Sequence, residues 1–118
     1  MPQYAVLIYA DDSAHAPAAT TADTASCDDH ADELVQEGSM VAAYALTPRA
    51  MATSIRAGSV TAGPYLDGNQ IVAGFYVLEA PDLDRAVAIA GTNPAIGEGG
   101  GVEVRPVHSG GAVEPTAG

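Results

Sequence analysis

These 118 residues contain no lysine and no tryptophan, and cysteine and phenylalanine occur once each. A single cysteine, Cys27, excludes an internal disulfide. The only cations are Arg49, Arg56, Arg85 and Arg105, set against 15 acids for a formal charge of -11. A surface of that sign repels phosphate backbones and anionic lipids, which argues against nucleic acid or a membrane as partner. No run of about 18 apolar residues is present, so no segment reads as a membrane span. The opening MPQYAVLIYA lacks the basic start of a signal peptide and reads as a strand, so a cytoplasmic location is expected. P-loop, GxGxxG, GxSxG, HExxH and CxxC patterns are all missing. Gly97 and Gly99 to Gly101 precede a strand rather than a helix, so they do not form a phosphate cradle. His15, His30 and His108 lack the spacing of a zinc site. Neither metal nor cofactor is expected.

What is present suits one folded domain. Apolar residues make up 47% of the chain, with a mean hydropathy of +0.11, too apolar for a disordered segment. The reading assigns residues 1–108 to the domain and 109–118 to a small, polar, frayed tail. Gln3 to Ala10 is nearly all apolar, as in a central strand covered on both faces. Asp23 to Gly38 reads as a helix, capped by Asp23 or Thr24, with Cys27, Ala31, Leu34 and Val35 as its apolar stripe and His30 at the stripe's edge. Met40 to Thr47 and Ala52 to Ala57 read as strands, the latter turning at Gly58-Ser59 toward Val60-Thr61. Val72, Phe75, Tyr76 and Val77 mark the strongest strand, in which Gly74 signals a bulge or a close backbone approach. Asp82 caps a second helix to Ala90, with Leu83, Ala86, Val87 and Ala90 as its buried stripe. Asn93 to Gly101 is a glycine-rich loop, and Gly101 to Val107 is the last strand.

The order β-α-β-β-β-α-β is a ferredoxin-like split βαβ plan of the α+β class with an extra short strand. Two helices cover only one sheet face, yet apolar residues line both. A homodimer with the open faces together answers that.

The stretch VTAGPYLDGNQIVAGFYVLEAPDLDRA, followed by GGGVEVRPV, resembles the YCII-related family and its DGPF branch. The likeness covers Val41 to Val107 and, loosely, the first strand. Where that branch has DGPF this chain has Ala62-Gly63-Pro64-Tyr65, so the motif's acid is absent. The resemblance implies a dimeric α/β barrel. It also implies a dyad of a histidine on the first helix and an aspartate after the first strand. Here His30 and either Asp11 or Asp12 occupy those places.

An aspartate accepting one imidazole N–H fixes the tautomer and raises the basicity of the other nitrogen. His30 with Asp11 is therefore the expected catalytic pair; the plain alternative is a half-exposed histidine among Asp28, Asp29, Asp32 and Glu33. Cys27, one turn earlier, reads as core rather than nucleophile. Tyr9, Tyr44, Tyr65 and Tyr76, with Glu103 and Arg105, are the candidate ligand contacts, suited to a neutral or anionic oxygenated small molecule. Alternatively these tyrosines are ordinary core and interface residues. Two functions follow. One is a cofactor-independent isomerase, cyclase or lyase that moves a proton on an organic metabolite. The other is a non-catalytic ligand-binding or interaction module, which the missing acid at Ala62 favours.

Overall fold

In a computed structural model of the chain, residues 1–20, 29–30, 32–35 and 38–111 are described. The strands are β1 (Gln3–Ala10), β2 (Met40–Ala45), β3 (Thr53–Arg56), β4 (Ser59–Ala62), β5 (Ile71–Glu79) and β6 (Gly101–Pro106). Residues 29–30 and 32–35 are helical (α1). Helices α2 (Leu83–Ala90) and α3 (Pro94–Gly97) precede β6. One sheet has the order β2-β5-β1-β6, and β3 pairs only with β4 in a separate hairpin. Every pairing is antiparallel. β1 and β2 therefore run the same way with β5 between them, which is compatible with a ferredoxin-like α+β fold. Among the described residues no helix is long and apolar enough to cross a membrane.

Strand alternation builds the core. Tyr4 and Val6 of β1, Tyr76 and Leu78 of β5, Leu34 of α1 and Ala86, Ile89 and Ala90 of α2 form one buried cluster. Val6 and Leu78 are wholly buried; full burial of such a side chain stabilises by about 1.5–3 kcal/mol. On the opposite face the register lines up Tyr44, Phe75, Leu7 and Glu103 across four strands. Tyr44 and Phe75 stack there at 5.4 Å between ring centroids.

Gly74 does both things expected of it. The β1–β5 register slips between Ile8 and Tyr9, opposite Gly74 and Val72, so Ala73 is bulged. A Cβ on Gly74 would lie 2.8 Å from the Tyr44 carbonyl oxygen. Asp82 caps α2 by accepting a hydrogen bond from Arg85 N–H at 2.8 Å. Gly38, at φ +76°, ends α1 with its N–H on the Val35 carbonyl.

Other expectations are corrected. α1 turns His30 and Leu34 inward, four residues apart on one face, while Val35 is 61% exposed. α2 buries Ile89 beside Ala86 and Ala90 and leaves Leu83 and Val87 on the rim. The two small alanines set the close approach, so the helix rotates away from its bulkier stripe. The segment expected to be loop after Asn93 contains α3, with Asn93 as N-cap and Pro94 in its first turn. The start of the first helix, Cys27 and the tail from residue 112 lie outside the described residues.

Candidate functional site

On the helix-covered side of the sheet, at the end where β1 gives way to the Asp11–His15 loop, lies a cavity of about 260 Å³. Ala43 and Ala45 of β2 and Ala73 and Gly74 of β5 line one side. His30, Tyr76 and Asn93 bring polar groups to it.

His30 is 9% exposed. Its Nε2 is 2.7 Å from Thr92 Oγ1, and that hydroxyl donates to the Ile89 carbonyl at 2.7 Å. Because the single hydroxyl proton is directed at Ile89, the Thr92 oxygen accepts from Nε2–H. Nε2 is therefore the protonated nitrogen of that contact. The imidazole also meets Tyr76 edge to face, at 6.5 Å between centroids.

Tyr76 is 3% exposed, and its hydroxyl has no hydrogen-bond partner. Burial raises its pKa above 10.0; the nearby Asn93 side chain opposes that more weakly. No hydrogen bond of ordinary geometry joins the two, and burial is the stronger effect. Asn93, also buried, accepts from Ala95 N–H through Oδ1 at 2.9 Å. That contact fixes the amide with Oδ1 on Ala95 and its Nδ2 end toward Tyr76.

The two acids after β1 differ. Asp12 lines the cavity. Its Oδ1 accepts from Arg49 N–H at 2.7 Å and Ser13 N–H at 2.8 Å, and these bonds hold its pKa below 3.8. Asp11 is exposed and contributes its carbonyl to the Arg49 guanidinium. Arg49 also reaches Asp67 and the Gly68 carbonyl, at 2.7 and 2.9 Å. Ser13 Oγ donates to the Leu46 carbonyl. This knot fastens the cavity's outer loop to the sheet and the tip after β4.

The sequence-predicted contacts do not share one site. Tyr76 lines the cavity beside His30, whereas Tyr44, also at its border, carries its side chain on the opposite sheet face. Tyr9 and Tyr65 line a second, larger groove of about 520 Å³ between the sheet and the segment following the hairpin. Glu103 and Arg105 are exposed on β6, opposite Leu7 and Ala5, and border neither. Arg56 stacks on Tyr65 at 3.8 Å. In the AGPY segment, Gly63 N–H donates to the Ala52 carbonyl and its own carbonyl accepts from Ser54 Oγ, which places it as a clasp of the hairpin.

Asn93 and Thr92 were missed in the sequence. The dipeptide Asn93-Pro94 carried a signal, since Asn followed by Pro is a cap and first position of a helix. Among the described residues no group of three or more His, Cys, Asp or Glu could hold a metal. The YCII-related domain matches residues 2–109, and the chain belongs to that family. No curated protein matches it.

Proposed function

We propose that this YCII-related protein is a cofactor-independent enzyme that moves a proton on a small organic molecule, with His30 as the base. One observation carries the reading: a buried histidine lines a largely apolar cavity, with its Nε2 fixed through Thr92 to a backbone carbonyl. The His30 imidazole takes a proton from carbon next to a carbonyl; the C–H electron pair moves into the enolate. The imidazolium then returns the proton to another carbon, or a leaving group departs with its electron pair. Isomerisation, cyclisation and elimination all share that first step. Of Asp11 and Asp12, the second borders the cavity and stays ionised, so we assign the supporting charge to Asp12.

The AGPY segment agrees with a DGPF-branch origin in which the acid has been lost at Ala62. The open sheet face, with Tyr44 60% exposed, agrees with a homodimer that closes a barrel. Sedimentation at micromolar concentration should give twice the 11.8 kDa chain mass; a monomer would remove the dimer from the proposal.

The catalytic test uses β-tetralone, a neutral ketone with acidic α-hydrogens. The protein should accelerate exchange of those hydrogens in deuterium oxide, read by proton NMR, and His30→Gln should abolish the acceleration. Exchange at the same rate in both proteins would instead favour the second reading, a binding module.

A further inference from the structure

Two hydrogen-bond donors border the cavity beside His30, and one of them has no partner. The Tyr76 hydroxyl is buried and unpartnered. The Asn93 amide is pinned through Oδ1, which leaves its Nδ2 end as the donor on the side of Tyr76. Both side chains border the same cavity. Buried polar groups are nearly always paired, so an orphan of this kind asks for an explanation. An unpaired hydroxyl is costly, and a phenylalanine would fill the same space without that cost.

The charge around the cavity narrows what can satisfy the two donors. No arginine borders it, whereas Asp12 and Glu98 do. The whole chain carries -11. An anion entering here would lose its hydration and meet like charge. A carbonyl oxygen accepts two hydrogen bonds without bringing a charge of its own. Size adds a further limit: a cavity of about 150 Å³ admits benzene, and this one, at about 260 Å³, admits one or two small rings.

We infer that Tyr76 and Asn93 form a two-donor cradle for the carbonyl oxygen of an uncharged, compact and mainly apolar substrate. The inference rests on the proton-transfer reading for its chemistry, because the cradle then stabilises the oxygen on which enolate charge develops. Tyr76 stays a phenol at neutral pH and so remains a donor. The two donors act on the oxygen while His30 acts on the neighbouring carbon.

Binding tests the cradle apart from turnover. The probes are β-tetralone and β-naphthoate, close in size and different in charge, titrated into the full chain and followed by amide NMR shifts. The ketone should bind and the carboxylate should bind at least tenfold more weakly. Tyr76→Phe should weaken ketone binding by roughly 3- to 10-fold, the worth of one neutral hydrogen bond. Asn93→Ser should do the same, since serine keeps an acceptor for Ala95 N–H and so keeps the cap. His30→Gln should leave ketone affinity within about twofold, because it keeps the cradle. Equal binding of both probes, undiminished ketone binding in Tyr76→Phe and Asn93→Ser, or no ketone binding to the wild type would each overturn the inference. If binding follows this pattern without any hydrogen exchange, the cradle stands and the proton-transfer reading falls.

Discussion

The two concavities of this molecule invite opposite mistakes. The groove beside Tyr9 and Tyr65 is about 520 Å³ and the cavity beside His30 about 260 Å³. Size alone would choose the first. Yet around the groove the strongest polar groups are engaged: Arg49 holds Asp67, Gly68 and Asp11, and Arg56 holds Tyr65 by its carbonyl and its ring. Beside His30 the smaller cavity keeps the Tyr76 hydroxyl unpartnered. Polar groups that stabilise the fold have partners already; groups awaiting a ligand do not. Hydrogen-bonding capacity left unused is thus a better guide here than volume.

That contrast can be broken most directly at His30. His30→Gln should cut proton-transfer turnover by about 10²–10⁴-fold, the range for a positioned general base. Tyr65→Phe, in the groove, should leave the rate within about twofold if the comparison is right. Steady-state rates on the ketone probe decide between them.

Next in size is the packing beneath the cavity. Leu78→Ala should destabilise the domain by about 2–5 kcal/mol, since that side chain is wholly buried. Leu66→Ala, at a position 75% exposed, should change stability by less than about 0.5 kcal/mol. Urea denaturation midpoints measure both, and equal losses would mean that the groove is packed in solution.

Asp82→Ala should cost about 1 kcal/mol by removing the observed cap of α2. Activity should be untouched, because α2 supplies no side chain to the cavity.

Tyr76→Phe should have the smallest effect on stability and the opposite sign. Removing an unpaired buried hydroxyl should leave stability unchanged or raise it by up to about 1 kcal/mol. The phenol's pKa is raised in the folded state. Its contribution is therefore complete below pH 10 and is lost as pH rises through 10 and beyond. The alkaline limb of melting temperature against pH should be shallower in Tyr76→Phe. Asp12 behaves in the reverse sense: its pKa is depressed, so its contribution is present above about pH 4 and is lost as pH falls further. Asp12→Asn should flatten the acid limb.

Much of the fold was legible because strands announce themselves by residue type. β1 occupies the residues expected, and Gly74 marks a close approach where only glycine fits. Helix orientation was less legible. Periodicity shows that an apolar stripe exists, but small residues such as Ala86 and Ala90 decide how near the helix comes and hence which neighbours go under. His30 looked peripheral on the wheel and is buried. The site was half legible. His30 and Tyr76 were singled out, but the division of the tyrosines between two concavities depends on the β3–β4 hairpin standing apart from the main sheet. Nothing local in the sequence specifies that separation. Asn93 escaped notice because glycine-rich surroundings hid a one-turn helix.

The crowding at Gly74 has an evolutionary side. The wall it belongs to consists of Ala43, Ala45, Ala73 and Gly74, so its contour is drawn mainly by main chain. Main-chain contours change little as a lineage diverges, and any larger residue at Gly74 would push β2 away from β5. New ligand preferences would therefore arise from the facing wall, at loop residues such as Ser13 to His15 and at the α3 turn. Surveying natural variants at those positions should reveal where members of the family part ways in what they accept.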